Sequence, residues 1–246
     1  MRQPRLAEMI AGQLRQRILD GDLPDGGELP SLDKLVQEFG VSPPPVREAL
    51  RILEHERLIT VRRGAVGGAV VHRPRADAVG YVLGVVLQSE RVRTTDLRAA
   101  LAELQPVCAA MCARRADRAR TVVPRLVEAC DRMADTIDDP REMEPWSRQF
   151  HSELIAGSGN DTLVLVVGSL EQLWASQQEA WTHRVAVADE SPDIELRKQG
   201  LQAHLDITAA IEGGDAEAAD RLVRDHMHDP RIFSARSRGP VIRATP

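Results

Sequence analysis

Leu6, Met9, Ile10, Leu14 and Ile18 recur three and four residues apart, the period of a helix with one apolar face. They predict a helix from about 5 to 19 that stops at Asp20-Gly21. After a loop crowded with glycine and proline, Ser31 can cap a short helix carrying Leu32, Leu35, Val36 and Phe39, closed by Gly40. Ser42 opens a third helix with Pro43, Pro44 and Pro45 in its first turn, where a missing N–H costs nothing because those donors have no partner inside the helix. The apolar stripe there is Val46, Leu50, Leu53 and Leu58. From 58 to 63 and from 69 to 72 the pattern turns β-branched around a glycine-rich tip at 64–68, a two-stranded hairpin. Three helices and a β-hairpin wing, with a tight glycine turn between the second and third, read as a winged helix-turn-helix over residues 1–73.

Beyond Pro74 the pattern changes to long helical periods with short breaks. About seven helices are expected, over 76–89, 94–115, 121–138, 142–157, 161–187, 192–212 and 215–228. Leu163 to Val167 alone could pass for a buried strand, but Leu170, Leu173, Trp174 and Trp181 continue it at helical spacing. Fold class is therefore mainly α: the winged module, then an all-helical bundle over 76–230 able to hold a pocket between its helices, then a tail over 231–246.

Aromatic residues make up only 3% of the 246, too few for the stacking surface a single-strand nucleic-acid binder needs. The formal charge of −5 is unevenly placed. Residues 1–75 hold 12 basic and 10 acidic side chains, whereas 76–246 hold 20 and 27. Residues 41–75, the third helix and the wing, hold 7 and 3 and form the positive surface. There Arg47 and Arg51 lie one turn apart on one face, within reach of phosphates or guanine edges of a major groove. Arg62 and Arg63 stand on the hairpin, placed to touch a sugar-phosphate strand. Cys108, Cys112 and Cys130 have no paired spacing that would make a disulfide framework or a thiolate zinc site. With no leader-like start and no apolar run near the ~20 residues of a membrane span, a soluble cytoplasmic protein is expected.

The histidines carry the second signal. His151, His204 and His226 fall on three predicted helices among apolar neighbours. His204 precedes the Gly213-Gly214 turn by about as many residues as His226 follows it, so an antiparallel hairpin brings both rings to one height, ~15–18 Å from the turn. Paired imidazoles can share a cation, with His151 as a third ligand, and His183 and His228 are possible substitutes. Each alone would more often be an ordinary hydrogen-bonded core histidine.

Residues 5–72 resemble the GntR regulators through Leu29-Pro30-Ser31, Leu35, Phe39-Gly40-Val41-Ser42, Pro45-Val46-Arg47-Glu48-Ala49-Leu50, Leu53 and Leu58-Ile59, followed by the glycine-rich wing. They depart from that pattern at Pro43, where most members carry a DNA-contacting Arg, at Leu32-Asp33, and at Arg57, where a Gly is usual. The second region is similar to the FCD effector domain of the FadR-type subfamily through Phe150-His151-Ser152-Glu153-Leu154, Ser158-Gly159-Asn160, His204, Gly214-Asp215, Ala219 and His226. The resemblance implies a homodimeric regulator of a double-stranded DNA operator, most often a repressor, governed by a small carboxylate effector. Ser31, Ser42, Pro44, Arg47, Arg51, Arg62, Arg63 and Gly67 are the residues expected at the duplex. It also implies a divalent metal on His151, His204 and His226, zinc or nickel for an imidazole set. The family's usual aspartate ligand, one turn before the first histidine, is Ser147 here, and Gln105 stands where a Glu is common. Two other readings compete: a sensor for which the metal itself is the signal, and a three-histidine metalloenzyme, against which no general base stands beside the histidines.

Overall fold

A computed structural model describes residues 6–62, 68–73, 76–185, 193–229 and 239–244, with the side chains of 76–78 and 178–185 left aside. The chain divides into two compact units, Met1–Arg75 and Ala76–Pro246.

In the first unit, α1 (Leu6–Asp20), α2 (Leu32–Phe39) and α3 (Pro43–His55) are followed by β1 (Ile59–Arg62) and β2 (Gly68–Val71). The strands pair antiparallel with Ile59 opposite Val71 and Arg62 opposite Gly68. Ile10, Leu14 and Ile18 of α1 close on Leu35, Val46, Ala49 and Leu53, and Leu58, Ile59 and Val71 complete the core. Ser31 caps α2 by accepting from Lys34 N at 3.4 Å, and Gly40 ends it in the left-handed region at φ 63°. Ser42 precedes α3 without a side-chain cap bond. Its usual donors, the second and third N–H groups of the helix, belong here to Pro44 and Pro45 and do not exist. Arg57, in the turn after α3, takes φ 60° without being a glycine.

The second unit is built from α4 (Ala76–Ser89), α5 (Thr94–Arg114), the single turn α6 (Arg118–Thr121), α7 (Val123–Asp135), α8 (Pro140–Ala156), α9 (Asp161–Val185), α10 (Ile194–Gly213) and α11 (Ala216–His228). The helix expected over 121–138 starts later because Pro124 sits in its first turn and leaves α6 as a separate turn. The helix expected from 142 starts instead at Pro140, capped by Asp139, whose carboxylate accepts from Arg141 N at 2.8 Å. α5 runs through the middle of the bundle against α8, α9, α10 and α11. Gly80 lets α4 lie close on α9, since a Cβ there would stand 3.1 Å from the Ser169 carbonyl.

The residues read from sequence as a tail have a structural role over 239–244. Ile242 is fully buried in the helical core, Thr94 N donates to Pro240 O at 3.0 Å and Ile242 N to Val92 O at 3.0 Å. Gln177 receives the Arg243 N–H on Oε1 and donates Nε2 to the Arg243 carbonyl.

Candidate metal centre and nucleic-acid interface

On α8, α10 and α11 the histidines belong to the apolar stripes that build the core. His151 shares its stripe with Phe150, Leu154 and Ile155, His204 with Ile207, Thr208 and Ile211, and His226 with Ala219, Val223 and Met227. Burying those stripes carries the imidazoles inward, to 8%, 2% and 5% exposure. The α10–α11 hairpin is set by Gly214 at φ 75° and by Asp215, whose carboxylate accepts from Ala218 N at 2.9 Å. His204 Nε2 and His226 Nε2 consequently stand 3.1 Å apart, and one ligand nitrogen from each of the three rings lies within 4.8 Å of the others.

The outer faces of two rings fix which nitrogen is free. His204 Nδ1 points at Met133 Sδ at 3.4 Å and His151 Nδ1 at Gln105 Oε1 at 2.8 Å. Sulfur and carbonyl oxygen carry no proton, so both Nδ1 atoms are the donors and both Nε2 lone pairs turn inward. Phe150 stacks on His204 with ring centroids 4.1 Å apart and holds its plane. Burial pushes His151 down to about 3, helped by nearby His226, and pushes His226 down to about 4 against the opposing pull of Asp229. His204 falls well below its ordinary value from burial, with His226 and His151 adding to it. Three imidazoles held neutral, two with lone pairs aimed at one point, suit a cation of the zinc or nickel class, and 3.1 Å is an ordinary separation for two nitrogens each ~2.1 Å from one ion.

Ser147 lies one turn earlier on α8, half-buried, and offers a hydroxyl where a carboxylate would be a far stronger ligand. His228 is exposed, its Nδ1 donating to the Arg224 carbonyl at 2.8 Å, and stands outside the trio; the side chain of His183 lies outside the described ones.

Sequence reasoning missed Glu171. It sits on α9 at 6% exposure, and its Oε2 accepts from Gln105 Nε2 at 2.7 Å. Burial raises this carboxyl to about 7, Glu144 pushes it further up, and Arg148 with the Gln105 hydrogen bond pulls it back. A signal was present: Glu171 is the one charged residue in the mostly apolar run from Leu163 to Ala175.

On the first unit, Arg47 and Arg51 are exposed along α3. Arg51 is 76% exposed and meets Glu48 at 3.3 Å, an ion pair too solvated to hold it away from a polyanion. Arg62 is equally open at the end of β1, 3.7 Å from Glu28. Ser42 and Pro44 are exposed at the start of α3, and the Ser31 hydroxyl is engaged in its cap. Arg63 and Gly67 lie outside the described residues.

A reader of duplex DNA on one unit and a helical sensor on the other define a ligand-responsive transcriptional regulator. Residues 6–70 match the model for bacterial regulatory proteins of the gntR family, and residues 96–229 match that of the FCD domain. The chain belongs to the GntR family of bacterial regulatory proteins and carries an FCD domain. It is similar to the HTH-type transcriptional repressor NanR of Klebsiella aerogenes, 28% identical over 231 residues, covering 91% of this chain and 83% of that protein. The NanR of Cronobacter sakazakii is likewise 28% identical, over 227 residues with the same coverage. Among solved structures, Streptococcus agalactiae GntR shares the fold with a TM-score of 0.69 at 24% identity, over 92% of this chain and 98% of its own. The family and these relatives are regulators, and the metalloenzyme alternative falls away. No helix among the described residues is long and apolar enough to cross a membrane.

Proposed function

We propose that this regulator represses transcription by binding a two-fold operator as a homodimer, and that a small carboxylate effector, held beside a divalent metal on His151, His204 and His226, releases it. The three inward-facing neutral imidazoles carry this reading. An imidazole set brings no negative charge to a bound cation, leaving the ion's charge to attract an anionic ligand and its open positions to receive one. When bound, the metal supplies Lewis-acid attraction for a carboxylate; His151, His204 and His226 hold it, Phe150 keeps the His204 plane, and Ser147 is a weak additional donor.

Dimer formation is supported by an apolar face. Val79, Val82 and Val86 recur along α4 at 41%, 61% and 51% exposure, and Leu165 and Val166 of the adjoining α9 are 44% and 48% exposed. Large apolar side chains clustered on two packed helices favour a protein partner over water. Two copies present two α3 helices, matching half-sites about 34 Å apart on one side of the duplex. An effector that binds the released state more tightly by a few kcal/mol moves the population from one state to the other.

A gel-shift assay with DNA from upstream of the protein's own coding region tests the reading. A specific complex is expected that Arg47→Ala weakens and that a carboxylate dissolves only when zinc or nickel is present. Release by metal alone would favour a metal sensor, and absence of any salt-sensitive specific complex would sink the proposal.

A further inference from the structure

We infer that Glu171, acting through Gln105, is the positioning residue that keeps the His151 proton on Nδ1 and supplies a buried counter-charge to the histidine site. This rests on the metal-binding reading above. Three helices contribute one member each: Glu171 from α9, Gln105 from α5 and His151 from α8. Above about pH 7 Glu171 is ionised and its carboxylate can only accept, so the Gln105 atom 2.7 Å from Oε2 is its amide nitrogen. The opposite atom of the same amide is then its oxygen, which also only accepts, and it faces His151 Nδ1 at 2.8 Å. The proton must therefore sit on Nδ1, which leaves Nε2 bare toward His204 and His226.

Without the negative charge at 171 the neighbour can donate as well as accept, and the Gln105 amide is no longer held to one orientation and can turn over. Its NH₂ would then face His151 Nδ1 and drive the proton onto Nε2, the nitrogen a cation needs. Gln105 is fully buried, so its orientation is dictated by these two neighbours. A carboxyl buried as deeply as Glu171 is costly unless something compensates it. Its neighbours Glu144 and Arg148 act in opposite directions, whereas a cation on the trio would act wholly in its favour.

Outer partners of a ligating histidine typically change metal affinity about 10- to 100-fold. Zn²⁺ affinity is measured on the full chain by competition with a chelator, and the His151 tautomer from imidazole ¹⁵N shifts of the metal-free protein, assigned against His151→Asn. Wild type is expected to show Nδ1–H at His151, and E171Q a shift toward Nε2–H with affinity about 10- to 100-fold weaker. The double variant Q105E/E171Q places a carboxylate directly on His151 Nδ1 with an amide donor behind it, and is expected to recover affinity to within about threefold of wild type. Unchanged affinity in E171Q, or a loss that the double variant does not recover, overturns the relay and reduces Glu171 to packing. If wild type binds no Zn²⁺, the metal reading fails separately, and the spectra still decide: Nδ1–H lost in E171Q upholds the relay, and the same tautomer in both proteins overturns it.

Discussion

Acidifying the metal-free protein from pH 7 to pH 5 removes a calculable part of the helical unit's stability. An unfolded imidazole titrates near 6.5. In the folded chain His151 waits until about 3, His226 until about 4, and His204 also stays well below its ordinary value. Over this range the unfolded state binds protons that the folded state refuses, so stability falls with pH. Because the folded values of His151 and His226 lie below 5, their loss is set by the unfolded one, about 2 kcal/mol per ring and about 4 kcal/mol for the pair, and His204 adds to it in the same direction. Glu171 works the other way: raised to about 7, it takes up its proton before an unfolded glutamate does, and acidification returns about 2 kcal/mol. These groups leave a net loss of about 2 kcal/mol, to which His204 adds, a sizeable share of the 5–15 kcal/mol typical of a domain. All three tryptophans, Trp146, Trp174 and Trp181, lie in the second unit, so urea unfolding in chelator followed by tryptophan fluorescence reports that unit. His226→Leu is expected to cut the pH 7 to pH 5 loss by about 2 kcal/mol. A wild-type loss under about 1 kcal/mol, or the same loss in both proteins, would show that the rings are not held neutral by burial.

Three further outcomes follow from local geometry. Arg57→Gly relieves a left-handed residue worth ~1–2 kcal/mol and pays back part of it in glycine's extra unfolded-state entropy, so slower amide exchange in α1 to α3 by a net 0.5–1 kcal/mol or so is expected, and no change would place the strain elsewhere. Gly214→Ala forces a Cβ to 2.7 Å from Arg118 Nη2 at φ 75°, where Arg118 Nε also donates to Glu212 O, and about 1–2 kcal/mol of loss is expected in the same urea assay, with a neutral result contradicting it. Burial holds the Cys108, Cys112 and Cys130 thiols up at about 11, 12 and 11, so an aromatic disulfide reagent at pH 8 should label them only as fast as the unit opens, and immediate labelling would refute their burial.

What the sequence revealed depended on how local the determinant is. His204 and His226 could be paired by counting residues on either side of Gly213-Gly214, because a helical rise and a glycine turn are properties of adjacent residues. Ser31, Gly40 and the prolines of α3 announced their helix ends for the same reason. Glu171 and Gln105 are 66 positions apart and meet only once α5 and α9 pack, a register no spacing rule supplies. Ile242 was hidden similarly: the short Val241-Ile242 pair between Pro240 and Arg243 has no period, and only the gap beside Val92 and Thr94 makes Ile242 core. Where a helix began a few residues from its expected place, at Pro140 and Val123, a proline that reads equally well as a stop or as a first turn was the cause.

The buried position of Ile242 also orders events during synthesis. Among the described residues every core residue of the DNA reader lies at or before Val71, so that unit can close as soon as its own stretch has emerged, whereas the helical unit lacks a part of its interior for some 170 residues more. At the roughly 5–20 residues per second of bacterial and eukaryotic ribosomes, that interval lasts about 10 to 30 seconds. During it each nascent chain displays a finished DNA-binding head tethered to its own transcript and polysome while the machinery that governs the head is still incomplete.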